Sequence, residues 1–205
     1  MLRLGRIAVL TLVSALALSA LAAASASAVP PWKFESKSLE GLEEVAGGAA
    51  SSPLTVFGLT TTCDLSYRMD ISNSAGTAAG SVTEMNFSNC ITNDPDCTVE
   101  VAEAEALPWG LTGKVIGSST YAVFKGIKFE IRYGGEECVL WEVEAFFTGS
   151  AGGKYDNSVG AFSFTPTNFK ATGTEVTAFG LSVAWNAYFT TEALGAHMGQ
   201  TLNLG

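Results

Sequence analysis

Basic residues are scarce in this chain: eleven Lys and Arg stand against twenty Asp and Glu, and nowhere do the basic ones cluster. A protein that neutralises a phosphate backbone needs a gathered basic face, so nucleic-acid binding is excluded as a function class. The same acidity disfavours docking on anionic lipid heads. Histidine is rarer still. The single His197 sits in a polar tail, and no Gly-x-Ser-x-Gly elbow is present, which leaves no basis for a serine triad. No Cys-x-x-Cys pair occurs, and that argues against a zinc or dithiol redox site. Charged residues make up only 15% of the chain, and stretches rich in Leu, Lys, Glu and Arg are few, so long helices are not expected. Beyond the N-terminal apolar run there is no second apolar span and no hydrophobic C-terminal tail.

What is present describes a β-protein. The 205 residues, 47% of them hydrophobic, suffice for one full core, and 22 glycines among β-branched and aromatic residues favour strands and turns. Residues 1–28 read as an export signal: a basic start (MLRLGR), an apolar run over 7–24, then ASASA with small residues at the recognition positions. Cleavage after Ala28 removes Arg3 and Arg6, so nine basic residues would face twenty acidic ones, a formal −11. No cysteine precedes Cys63, so the leader offers no thiol for a lipid anchor. The expected location is secreted, with no membrane span left after cleavage; the alternative is an uncleaved membrane anchor, since the apolar run approaches spanning length. In an oxidising compartment, four cysteines imply two disulfides.

Residues 29–52, with a proline pair and the tract GGAASS, read as a linker or N-terminal arm that Trp32 and Phe34 would dock onto the domain or present for binding. A single β-domain then fills 53–205. Strands are expected over 54–59, carried on by Thr60, Thr61 and Thr62 to Cys63, and over 64–72 and 81–90, with Met85 and Phe87 on one face. Another is expected over 98–106, ended by Leu107-Pro108-Trp109. The clearest hairpin is 121–147. A three-residue loop, Gly134-Gly135-Glu136, would set Ile131 opposite Val139, Phe129 opposite Trp141 and Lys128 opposite Glu142. That register leaves Cys138 on the outer face. After a flexible-looking 149–158, a strand is expected over 159–165. In the last long run, 174–191, Phe179, Leu181, Val183, Trp185, Ala187 and Phe189 share a face. About eight to ten antiparallel strands result, in a β-sandwich or a closed barrel, which pattern alone does not separate.

Four cysteines allow three pairings. The favoured one joins Cys90 to Cys97 across a short loop and Cys63 to Cys138 across the sheet; the alternative joins Cys63 to Cys90 and Cys97 to Cys138. The run SVTEMNFSNC, its loop, then CTVEV and LPW, with TTC before and EEC after, resembles a pattern in uncharacterised exported β-proteins predicted in actinobacterial genomes. The resemblance spans roughly 54–191 and implies export and fold, with no activity attached.

Three groups of side chains are candidates for chemistry. Glu103 with Glu105, or Glu142 with Glu144, lie two apart on a strand, about 7 Å and on one face, a spacing within reach of inverting glycoside hydrolysis. Asn93-Asp94-Pro95-Asp96 gathers oxygens, making Asp94 and Asp96 calcium candidates, although these residue types also build turns without a metal. Asn86-Phe87-Ser88 matches a glycan acceptor. The sequence therefore points to a non-catalytic secreted domain without a cofactor, binding an extracellular protein or glycan through Trp32, Trp109 and nearby loops. The alternative is an extracellular hydrolase using a carboxylate pair.

Overall fold

Alternation of period two decides the architecture. In the strand Leu59–Ser74, the residues Leu59, Thr61, Cys63, Leu65, Tyr67, Met69 and Ile71 are buried, while Thr60, Thr62, Asp64, Ser66, Arg68, Asp70 and Ser72 face outward. The computed structural model describes residues 29–138, 140 and 143–205. The expected leader, 1–28, lies outside them. Among the described residues the chain forms β1 (Trp32–Phe34), β2 (Lys37–Ser38), β3 (Glu43–Val56), β4 (Leu59–Ser74), β5 (Thr77–Thr92), β6 (Thr98–Ala104), β7 (Trp109–Ile116) and β8 (Ser119–Gly134). There follow β9 (Glu144–Asp156), β10 (Ala161–Phe164), the helix α1 (Pro166–Thr172), β11 (Val176–Ala178), β12 (Leu181–Ser182), β13 (Ala184–Trp185), β14 (Ala187–Ala193) and β15 (Leu202–Leu204).

The fold is all-β and antiparallel, with more strands than the sequence suggested because several are pieces of one stave. β6 and β7 both pair with β8, one after the other along its length. β10 and β11 do the same on β9, separated by α1, and β13 and β14 on β3. Eight staves remain, and each pairs with the next. The ladders run from β3 through β4, β5, β6/β7, β8, β9 and β10 to β14, which returns to β3. The sheet therefore closes into an up-and-down barrel, not a sandwich, and closure removes the edges that a sandwich leaves bare.

An eight-stave interior is about wide enough for side chains to fill. Here it is filled with rings: Phe129 stacks on Phe147 at 4.7 Å and Phe162 on Phe189 at 4.9 Å, and Trp185 meets Phe164 edge-on at 4.9 Å. Gaps among these side chains hold about 10 Å³ each, too little for a ligand. Buried hydroxyls are paired: Trp185 Nε1 donates to Ser52 Oγ at 2.9 Å, and Thr61 Oγ1 meets Tyr133 Oη at 2.7 Å. The outward residues of β4 are polar, so this wall is the reverse of a lipid-facing barrel.

Two segments read as flexible from their composition are staves. Residues 43–52 belong to β3, in the heart of the sheet, so only the first part of 29–52 is an arm. Gly47 is there because a Cβ would lie 2.6 Å from Tyr67 Oη and collide with the Thr190 carbonyl oxygen. Residues 149–156 belong to β9, where a Cβ on Gly153 would come within 2.9 Å of the Phe164 ring. Glycine marks close approach in these strands.

The β8–β9 hairpin forms, but its register differs from the sequence reading. Phe129 faces Phe147, six residues beyond Trp141, and Ile131 faces Ala145. The even slip keeps Phe129, Ile131, Ala145 and Phe147 inward, whereas Cys138, expected on the outer face, is buried with the core because it is bonded to Cys97. Residues 135–138 leave the ladder in a turn, and Cys138 is bonded to Cys97.

The two ends of the barrel differ. At one end β1, β2 and β15 form a small sheet, and Trp32, Phe34, Leu202 and Leu204 plug the opening. Asn73 clamps the plug: its Oδ1 accepts from Trp32 N–H at 2.7 Å, and its Nδ2 donates to the carbonyls of Trp32 and Leu39. The other end carries the β3–β4 and β11–β12 turns, the loop from β5 to β6, and the segment from β8 to β9. Both disulfides, Cys63–Cys90 and Cys97–Cys138, lie toward this end. The favoured pairing is thereby corrected. Cys63 and Cys90 sit on neighbouring staves with Cα atoms 4.1 Å apart, within bonding reach as soon as β4 and β5 pair.

Candidate binding rim

Two hairpin turns at the loop end share an unusual residue choice. Val56 pairs with Leu59 and Ala178 with Leu181, so Phe57-Gly58 and Phe179-Gly180 are two-residue loops. All four loop residues have positive φ (52°, 80°, 55° and 75°), as a type I′ turn requires. Glycine fits the second position of each. The first position favours Asn or Asp, and a bulky side chain there is a backbone outlier. Both rings nevertheless face solvent, Phe57 at 55% and Phe179 at 44% exposure, and they pack together with centroids 5.4 Å apart. Leu181, beside them, is 47% exposed.

Next to this knob, Phe57, Gly58, Leu59, Asn93, Asp94 and Pro95 line a groove of about 380 Å³. Asn93 ties its two walls together: its Oδ1 accepts from Thr60 N–H at 2.7 Å and its Nδ2 donates to the Gly58 carbonyl at 3.5 Å. Asp94 Oδ1 accepts from Asp96 N–H at 3.0 Å, and Thr92 Oγ1 bridges toward the carbonyls of Asp94 and Cys97. The Cys97–Cys138 bond then fixes this loop to the turn carrying Glu136 and Glu137. Below the rim, Asn89 Nδ2 and Ser51 N–H both donate to Asp64, and hold its carboxyl below the usual range.

The sequence-derived candidates fall elsewhere or serve the fold. Trp32 and Trp109 are each 1% exposed, which removes them as binding residues; their indole N–H groups donate to the carbonyls of Ala79 and Glu105. Asp94 and Asp96 organise a turn, and among the described residues no three His, Cys, Asp or Glu gather to hold a metal ion. Glu103 is exposed, opposite Glu130 in the β6–β8 ladder, whereas Glu105 lies past the end of β6 and is bound by Lys128 Nζ at 2.6 Å. Glu142 lies outside the described residues, and Glu144 is 3.5 Å from Arg132. Asn86 is exposed on β5, its amide donating to Glu84.

Phe57 and Phe179 were missed because runs 54–63 and 174–191 read as unbroken strands, with Phe179 and Leu181 turned inward. The signal was there, since each phenylalanine precedes a glycine between two β-runs.

The plugged end has its own cleft, of about 430 Å³, bordered by Glu35, Glu40, Glu43 and His197. His197 is not a solvated tail residue: its ring stacks on Phe34 at 4.3 Å, Nε2 is 3.5 Å from Glu43 Oε1, and Nδ1 is 3.2 Å from Gln200 Oε1. No helix among the described residues is long and apolar enough to cross a membrane. No protein-family model, curated protein or solved structure matches the chain.

Proposed function

We propose that this is an exported, non-catalytic binding domain, export being what its resemblance to exported actinobacterial β-proteins implies, and that it engages a protein partner through the loop end of its barrel. The observation that carries this is the exposed Phe57–Phe179 pair, held on left-handed backbone at two turns whose fold would be better served by asparagine. A residue choice that costs stability and exposes apolar surface fits an interaction hot spot. A protein suits the knob better than a glycan does, because the rings meet at 51° and offer no flat platform for a sugar face. Two disulfides agree with an oxidising, extracellular setting.

Site-specific photo-crosslinking in the producing cells tests this. A benzophenone side chain at position 57 or 179 is expected to give a discrete adduct. The same group at Tyr188, on the outer wall and 52% exposed, is expected to give none. Equal labelling from all three positions, or adducts from 188 alone, would sink the proposal.

A second reading rests on the plugged-end cleft, where three glutamates and His197 border one space and carboxylate-dependent hydrolysis is chemically conceivable. Activity on a panel of nitrophenyl glycosides, lost in Glu43→Gln, would favour it over the binding reading.

A further inference from the structure

We infer that the groove beside Phe57 receives a basic side chain of the partner, so that the rim recognises a polypeptide segment in which Arg or Lys stands next to a bulky apolar residue. This rests on the binding reading and adds the chemistry of the partner.

The groove's composition sets its ligand. Phe57, Leu59 and Pro95 offer apolar surface, Gly58 offers no side chain, and Asn93 has both ends of its amide engaged with backbone. Among the described residues Asp94 accepts one hydrogen bond, from Asp96 N–H, which leaves most acceptor positions of its carboxylate open. The side chains therefore present the carboxylate of Asp94 beside an aromatic ring, while the Asn93 amide has its oxygen and one of its two N–H groups committed to backbone. An Arg or Lys side chain satisfies both features, laying its stem or guanidinium plane on Phe57 and its N–H groups on Asp94.

Charge around the groove points the same way. Segments 57–58, 91–97, 135–138 and 179–182 contain Asp94, Asp96, Glu136 and Glu137, and not one Lys, Arg or His. Such a field steers cations toward the rim and repels anionic surfaces. The knob supplies the second half of the specificity. Phe57, Phe179 and Leu181 are each about half exposed, so the cation must arrive with an apolar neighbour to cover them. A small free cation lacks that neighbour, whereas a polypeptide carries both at fixed spacing.

The test is to pan the protein against a phage-displayed library of random heptapeptides and measure the winners by fluorescence anisotropy. Enriched peptides are expected to pair Arg or Lys with Phe, Trp or Leu, and to weaken as salt rises. They should lose about tenfold or more in affinity with Asp94→Asn, which keeps the turn acceptor but removes the charge. Glu192→Gln, an exposed acid on the outer wall, is expected to leave binding unchanged. Winners without basic residues, or indifferent to Asp94→Asn, overturn the inference. So does an empty selection accompanied by binding to phosphatidylcholine vesicles, which would make the knob a membrane contact. If such non-basic winners still fail on Phe57→Asn with Phe179→Asn, the rim remains a binding surface and only the basic partner is lost. If they are indifferent to those changes too, both readings fall.

Discussion

At the scale of single residues, Phe57 and Phe179 oppose the fold they sit in. Left-handed backbone costs an ordinary L-residue about 1–2 kcal/mol, and asparagine recovers part of that. Replacing both by Asn gives up a half-exposed ring contact worth about 0.5 kcal/mol, at the low end for aromatic pairs. The double variant is thus expected to be more stable than the parent by about 1 kcal/mol, read as a higher urea midpoint at unchanged slope. Ala75, at φ 50° in the Ala75-Gly76 turn of the plugged end, has no such contact, so Ala75→Asn should stabilise by about 0.5 kcal/mol with no effect on binding. Buried tyrosines give a second expectation. Burial pushes the hydroxyls of Tyr67, Tyr133 and Tyr155 above their ordinary pKa. Above pH about 10 the unfolded chain loses these protons while the folded one keeps them. Stability is therefore whole below that pH and falls above it, by up to about 1.4 kcal/mol per pH unit for each tyrosine. Absorbance at 295 nm should show these three phenols ionising only as the barrel unfolds.

At the scale of elements, glycine separates what the sequence discloses from what it hides. The alternation is legible in β4 from Leu65 to Ile71 and in β8 from Ile127 to Tyr133 because every second residue there is large and apolar, and the structure buries those residues. In β3 the inward and outward positions near Gly47 and Gly48 are all small, so the pattern fades into what looks like a linker. Their reason lies on β4 and β14, far away in sequence: the Tyr67 ring, and the Leu65 and Thr190 carbonyls that crowd the two glycines. The rim hid in the same way, since two aromatic-glycine turns look like continuous strands until pairing sets Val56 against Leu59 and Ala178 against Leu181. Likewise the Phe129–Phe147 register of β8 with β9 comes with the Cys97–Cys138 bond, a long-range crosslink that local alternation does not encode. Gly47→Ala is expected to destabilise by about 2 kcal/mol or more, because a backbone oxygen and a ring must both move. Gly41→Ala, with nothing within 4 Å of the added carbon, should shift the midpoint little.

At the scale of the molecule, closure and crosslinking divide the labour between the ends. Ladders run unbroken around the barrel, and the arm, β15 and Asn73 lock the plugged end without any covalent bond. The loop end carries both disulfides, closing loops of 27 and 41 residues. In the chain-entropy account, loops of that size contribute about 3.5 and 4 kcal/mol. Their sum is comparable with the whole stability of an ordinary domain, about 5–15 kcal/mol. Protein made or held under reducing conditions is accordingly expected to unfold at far lower urea than the oxidised form. Single-bond variants separate the contributions. Cys97→Ser with Cys138→Ser frees the Asp94–Asp96 loop from the Glu136–Glu137 turn, so it should weaken rim binding as well as stability. Cys63→Ser with Cys90→Ser leaves that corner tied and should act on stability alone. Equal losses of binding from the two pairs, with both variants still folded by near-ultraviolet circular dichroism, would show that the acidic corner takes no part in recognition.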